Sequence, residues 1–188
     1  MVRPSGRRGP LSLFTHTRRS PVKVIQLVTM SLFTLVAGVF WGTWFSLSRS
    51  IASITPAAFL EIGHTMIANL GGPMSLLIPA TITSMLVLVV ALYRRHDRAA
   101  FVLAAIALGL LVVSTAITLS INVPTDDQIA GWTVGTLPAD WERIRNRWEF
   151  YHGLRTALTL VGVGCLFASA LWTRHGQRDL QRAKLRAA

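Results

Sequence analysis

The chain has 188 residues, of which 52% are hydrophobic and only 14% are charged, and its formal net charge is +11. Soluble domains contain about 25% charged residues, so the low charge and the mean hydropathy of +0.48 predict long apolar segments. This composition excludes a water-soluble multidomain enzyme and a disordered chain. Cys165 is the only cysteine, which excludes a disulfide scaffold.

Four apolar runs are long enough, at about 1.5 Å per residue, to cross a bilayer core of about 30 Å. A spanning backbone must satisfy its own N–H and C=O groups in lipid, so each run is predicted to be a helix. The first run is too long for the core of a signal peptide. The runs cover about residues 24–47, 74–93, 99–121 and 153–172.

These runs predict an all-α fold, an integral membrane four-helix bundle over residues 23–173. A flexible, basic N-terminal segment is expected at residues 1–22 and a basic tail at residues 174–188. Gly38, Gly42 and Ser46 form a stripe of small residues on the first span, which lets another helix approach closely. That helix belongs either to the same chain or to a second copy, so a homo-oligomer stays an open alternative.

The two long connections contain further helix signals. In residues 48–73, Thr55 is a suitable N-cap for a short helix from Pro56 to Ile67, which is expected to lie along the membrane surface. Gly71-Gly72-Pro73 is expected to end that helix before the second span. In residues 122–150, Asn122-Val123-Pro124 is expected to end the third span, and a helix that begins at Trp141 is expected to continue into the fourth.

The distribution of charge predicts the orientation in the membrane. Fourteen of the 19 Lys and Arg residues lie in the two terminal segments and in the connection between the second and third spans. Basic residues favour the cytoplasmic side, so both termini are expected in the cytoplasm and both long loops outside. The basic residues then act as topology anchors and contacts to anionic lipid, with the bilayer rather than a nucleic acid as partner. The 17 Arg against 2 Lys indicate a GC-rich bacterial genome. The expected location is the bacterial inner membrane.

Functional residue types are concentrated where the fourth span begins. Trp148, His152 and Arg155 have helical spacing and share one face. Arg155 lies inside the apolar limit, where an ionisable residue usually faces the bundle interior and has a partner. Asn122 lies at a similar depth, and Asp126 follows it closely.

These segments carry a resemblance to a known family. The stretches 37–48, 120–127 and 147–156, with the patterns Asn-x-Pro and Arg-Trp-x3-His-x2-Arg-Thr, resemble the anthrone oxygenase-like family of small four-span membrane proteins. The resemblance covers roughly residues 30–172, and most bacterial members are domains of unknown function. This chain has Asp126 where members often have Asn. Carried over by position, the family's motif residues are Asn69, Asn122, Pro124, Trp148, His152 and Arg155.

The resemblance implies oxidation of a lipid-soluble phenolic or anthrone-like aromatic molecule by O₂, with no cofactor. An anthrone is easily deprotonated to an anion that reacts directly with O₂. In that reading His152 is the base, Arg155 holds the anion, and Asn122 orients the substrate carbonyl. Trp148 stacks on the substrate, and Asn69 and Asp126 complete the binding site.

Two other interpretations stay open. Glu-x2-His occurs at Glu61/His64 and at Glu149/His152, which is a spacing found in metal-binding helix bundles, and His64 and His152 are also conceivable haem ligands. Alternatively, the protein is a non-catalytic membrane subunit or a small-molecule-binding protein. An enzyme is expected to contain a cavity of a few hundred Å³ beside His152 and Arg155, whereas a structural protein is expected to fill that space with side chains.

Overall fold

The computed structural model describes the backbone of residues 21–48 and 50–186, and their side chains except those of Ala52 and residues 173–186. The predicted N-terminal segment at residues 1–22 therefore lies mostly outside the described residues. Within the described part there are long helices and no strands. The helices are α1 (Pro21–Thr43), α2 (Pro56–Arg94), α3 (Arg98–Ile117), α4 (Val123–Ala130) and α5 (Trp141–Arg186).

Helix α2 differs from the prediction. Thr55 is its N-cap, with Oγ1 accepting a hydrogen bond from the Ala58 N–H at 3.3 Å, as expected. The predicted break at Gly71-Gly72-Pro73 is wrong, because α2 is one helix of 39 residues with Pro73 and Pro79 inside it. The predicted short helix therefore forms the first turns of a long helix. In apolar surroundings a broken helix would expose unpaired backbone groups, so a proline is tolerated within it.

The end of the third span also differs from the prediction. The chain does not stop at Asn122-Val123-Pro124, but passes through a π-helical turn at Thr118–Asn122 directly into α4. Proline lacks an N–H and clashes with the carbonyl four residues before it. The wider π-helical turn immediately before Pro124 accommodates that ring without ending the helix. A second π-helical turn, Trp44–Ser48, follows α1.

Helix α5 begins where the sequence predicts, at Trp141, and passes through His152 into the fourth apolar run without a break. Its backbone remains helical to Arg186.

The helices form a ring in which each long helix packs on two neighbours, in the order α1, α2, α3, α5. We call the half near the α2–α3 connection, residues 95–97, the lower half, and the opposite half the upper half. The lower half is solid, because the small faces of α3 at Ala100, Ala104 and Ala107 let α5 approach. The Ser169 hydroxyl donates to the Ala100 carbonyl at 2.8 Å. Phe33, Met85, Leu88 and Leu166 fill this core from the other helices.

The outer surface of the bundle is apolar. Four helices are long and hydrophobic enough to cross a membrane, and only 28–39% of the residues in their most apolar windows are buried inside the protein. Many large apolar side chains, such as those of Leu76, Val113 and Val161, are exposed on this surface, where lipid rather than water would cover them. The structure confirms the predicted all-α membrane helix bundle.

Candidate functional site

The upper half of the bundle encloses a cavity of about 530 Å³. It lies between two clusters of packed side chains. Val36, Phe40 and Ile78 form the first cluster, on the side of the lower half. The second cluster covers the upper end and consists of Ile51, Phe59, Leu60 and Ile129. Most of the wall is apolar, from α1 and α2, whereas Asp126, Asp127, Trp148, His152 and Arg155 supply ionisable and aromatic groups from α4 and α5. The cavity size lies within the range of about 300–1,000 Å³ that is usual for small-molecule sites.

The cavity opens sideways. Its lining residues Ser75 and Pro79 on α2 are exposed, and so are Leu119 and Val123 on the facing π-helical turn and α4. Leu119 is 64% exposed although it lines the cavity. The opening therefore lies between α2 and residues 119–123, on the apolar surface of the bundle.

Arg155 and His152 form one rigid unit in the cavity wall. Both are buried, at 7% and 2% exposure. The Arg155 Nε and Nη2 groups donate to His152 Nδ1 at 3.1 and 2.8 Å, and Nη1 donates to the Thr118 hydroxyl at 3.0 Å. The prediction that Arg155 faces the bundle interior and has a partner is confirmed.

The hydrogen bonds of His152 define its protonation. Arginine has no acceptor, so Nδ1 must accept with its lone pair. The other nitrogen, Nε2, lies 3.2 Å from the Phe40 carbonyl, which can only accept. His152 is thus a neutral imidazole with its proton on Nε2 and its lone pair directed at Arg155. In this arrangement neither nitrogen is free to take a proton from a molecule in the cavity.

The guanidinium of Arg155 keeps donors for a ligand. It has five N–H groups, and the bonds to His152 and Thr118 use three of them. Among the described side chains, no carboxylate oxygen lies within 4.0 Å of it. The guanidinium packs on the Phe40 ring, 4.4 Å from its centroid. A buried cation that borders an apolar cavity and has no close counter-ion is suited to an anionic ligand.

Trp148 connects His152 to Asp126. Its ring stacks on the imidazole, with centroids 4.8 Å apart and planes inclined by 3°. Its indole N–H donates to Asp126 Oδ1 at 2.8 Å. One face of Trp148 is consequently covered by His152, so a ligand in the cavity can meet only the rest of the ring.

The two asparagines lie outside the cavity lining. Asn122 is fully buried, and its Nδ2 donates to the Trp148 carbonyl at 3.3 Å, so it joins the π-helical turn to α5. Its Oδ1 has no hydrogen-bond partner among the described residues. Asn69 is exposed on α2. The structure therefore brings Asp126, Trp148, His152 and Arg155 together at the cavity but not Asn69 or Asn122.

The residues considered for a metal ion do not meet. Glu61 is exposed, and His64 Nε2 lies 2.9 Å from the Ile129 carbonyl. Both nitrogens of His152 have partners, and Glu149 lines a separate, shallow groove beside Trp44. Among the side chains that the structure describes, no group of three or more His, Cys, Asp or Glu residues could hold a metal ion.

The sequence prediction missed two partners of the site. Thr118 holds the Arg155 guanidinium, and the Phe40 carbonyl accepts from His152. Thr118 could have been found, because Ser114, Thr118 and Asn122 recur at every fourth position and so share one face of the third span. The partner at Phe40 is a backbone carbonyl, which the pattern of side chains does not reveal, so the sequence could not have predicted it.

The fold and site together define a membrane helix bundle with a laterally open cavity and a buried arginine in its wall. The family model described as anthrone oxygenase matches residues 69–165, about half of the chain, from the middle of α2 through most of α5. The chain therefore belongs to the anthrone oxygenase family. Searches of the curated proteins and of the solved structures found no match.

Proposed function

We propose that this protein oxidises a lipid-soluble phenolic or anthrone-like molecule with O₂ and without a cofactor. The observation that carries the proposal is the buried Arg155 guanidinium, which borders an apolar cavity of about 530 Å³ with donors to spare. Family membership supports the same reaction class. The sideways opening supports a substrate that dissolves in the bilayer.

The chemistry requires little more than an anion site. Loss of a proton from the CH₂ group of an anthrone leaves an anion whose charge is concentrated on the oxygen. O₂ then adds at that carbon to give a hydroperoxide, which loses water to form the quinone. One oxygen atom enters the product and the other leaves in water, so substrate and O₂ balance. A guanidinium in a low-dielectric cavity stabilises the developing oxyanion more strongly than water does.

The test is catalysed quinone formation by the purified protein in detergent, measured by absorbance together with O₂ uptake. Met66 lines the cavity on α2, whereas Leu76 lies on the same helix and is 76% exposed. Met66→Trp is expected to lower turnover at least tenfold, because the indole occupies cavity volume, and Leu76→Trp to leave it unchanged. Turnover is expected to persist after treatment with a chelator.

Two results would contradict the proposal. Loss of turnover after metal removal would indicate a metal-dependent reaction. An anthrone that binds to the wild-type protein without quinone formation or O₂ uptake would indicate a binding protein instead.

We propose further that the protein lies in the bacterial inner membrane with both termini in the cytoplasm, so that the cavity occupies the outer half of the bilayer. The concentration of Lys and Arg at the termini and at the α2–α3 connection supports this orientation. A fluorescent protein fused after Ala188 should therefore fluoresce. Alkaline phosphatase, which folds outside the cytoplasm, should be inactive there and active when inserted at residues 133–136. Phosphatase activity of the C-terminal fusion would indicate the opposite orientation.

A further inference from the structure

We propose that Asp126 is the general base that takes the proton from the substrate. This assignment rests on the proposed oxidation of an anthrone-like molecule. Asp126 thereby replaces His152, which the sequence analysis named as the base.

The argument begins with the ionisable groups that line the cavity, which are Asp126, Asp127, His152 and Arg155. Arg155 is a donor only. The lone pair of His152 is directed at Arg155, and its N–H is directed at the Phe40 carbonyl. Of the two carboxylates, Asp127 is exposed and Asp126 is half-buried. Asp126 is thus the more deeply buried of the two carboxylates in this set that line the cavity and have a lone pair to accept a proton.

The carboxylate of Asp126 is held in place but not saturated. Oδ1 accepts the Trp148 indole N–H at 2.8 Å. No donor to Oδ2 is found among the described residues, so that oxygen retains its acceptor capacity. Trp148 is itself fixed by its parallel stacking on His152. A base must be in hydrogen-bond reach of the proton it removes, with a lone pair available. Asp126 is a residue of the cavity wall, and its Oδ2 meets the second condition.

Charge supports the same assignment. Asp126 and Arg155 interact electrostatically, yet they form no ion pair within 4.0 Å. A molecule in the cavity can therefore lie between a carboxylate and a guanidinium. As the substrate proton moves to Asp126, the negative charge moves onto the substrate, where Arg155 stabilises it. Closing the two side chains into a direct pair would leave neither available.

The step balances with the groups named. The C–H bond of the substrate CH₂ group breaks, its proton bonds to an oxygen of Asp126, and the electron pair remains on the substrate as its enolate. O₂ is the oxidant and receives the electrons of that anion when the carbon–oxygen bond forms. The proton on Asp126 returns to the terminal peroxide oxygen, which restores the carboxylate. Loss of water from the hydroperoxide then gives the ketone.

The experiment isolates proton removal from the reaction with O₂. Purified protein is incubated with an anthrone in D₂O under argon, and deuterium incorporation into the CH₂ group is followed by mass spectrometry. A positioned base contributes about 10²–10⁴-fold, so Asp126→Asn is expected to lower catalysed exchange at least 100-fold, and aerobic quinone formation with it. Asp126→Glu should recover part of the rate. The control is Glu142→Gln, an exposed carboxylate at the start of α5 that should exchange like the wild type.

A second variant tests the positioning of the carboxylate. Trp148→Phe keeps an aromatic ring beside His152 but removes the N–H that holds Asp126. It is expected to lower the exchange rate several-fold while leaving the substrate concentration for half-maximal exchange unchanged. A role in packing alone would alter the thermal stability without this split between rate and affinity.

The outcomes separate the base assignment from the proposed function. If Asp126→Asn exchanges deuterium at the wild-type rate, the assignment of the base is overturned but the proposed oxidation is not. The same holds if Asp127→Asn loses exchange while Asp126→Asn keeps it. Exchange without O₂ uptake by the wild type would refute the oxidation and leave Asp126 as the base. Neither exchange nor oxidation by the wild type would refute both.

Discussion

Arg155→Gln is expected to lower quinone formation by about 10²–10³-fold, because the proposed reaction depends on this cation to stabilise the oxyanion in the cavity. Arg155 is 7% exposed, and its guanidinium has no carboxylate within 4.0 Å among the described side chains. Its removal therefore takes away an uncompensated buried charge rather than breaking a buried ion pair. For that reason we expect the variant to remain folded.

Arg155→Lys tests geometry against charge. A lysine keeps the positive charge but lacks the planar fork that reaches both His152 and Thr118. Its turnover is expected to lie between those of the wild type and Arg155→Gln.

The matched control is Arg147→Gln, because Arg147 is exposed on the same helix and lies outside the cavity lining. Its rate of O₂ uptake should equal that of the wild type. If Arg155→Gln turns over within threefold of the wild type while Arg147→Gln is unaffected, the anion site lies elsewhere.

Gly162→Ala is expected to destabilise the bundle, whereas Gly164→Ala is not. A Cβ at Gly162 would lie 2.8 Å from Phe33 Cζ, inside van der Waals contact, and 3.5 Å from the Ala107 carbonyl oxygen. Phe33 is fully buried within the packed core of the lower half. Overpacking of this kind costs about 1–3 kcal/mol. A Cβ at Gly164 would meet no heavy atom within 4 Å, so alanine there gains helix propensity without a clash.

The measurement is the thermal transition of each variant in the same detergent. A loss of 1 kcal/mol in the free energy of unfolding lowers the transition temperature by roughly 2–4 °C for a chain of this size. The transition temperature of Gly162→Ala should therefore lie several degrees below that of Gly164→Ala. Phe33→Leu removes the ring atoms that clash, and the double variant Phe33→Leu/Gly162→Ala should lose less stability than the two single effects combined. Additive effects would mean that α5 and α1 do not meet at this point.

The sequence predicts the helical fold well because the signal is distributed over many residues. Each span contains at least a dozen apolar side chains, and a single proline or polar residue does not remove the requirement of the span for a paired backbone. The beginning of α5 at Trp141 follows from Asp140, a residue type that favours the N-cap position directly before a helix. The two wrong helix ends both involve proline, at Pro73 and Pro124. Local preference there favours a break, whereas the apolar surroundings favour continuation.

The site is predictable only in part. His152 and Arg155 are three residues apart on one helix, so the helical period alone brings them to one face, and the structure joins them by hydrogen bonds. The environment of each group depends on other helices. The direction of the His152 lone pair depends on Arg155 and the Phe40 carbonyl together, and the side to which Asn122 turns depends on the π-helical turn. Such relations come from tertiary packing, which the period of one helix does not encode.

The solid lower half and the hollow upper half divide the bundle into two mechanical parts. Regions with few packed contacts open at low free energy, and densely packed ones open only with global unfolding. The surrounding acyl chains therefore press on a lower half that resists deformation and on an upper half that deforms more easily. The packed lower half holds the helices together, and the hollow upper half is the part that we expect to widen when a planar molecule enters. The aromatic substrate of the proposed reaction would thus pass between α2 and residues 119–123 without loosening the fold that holds Arg155 in place.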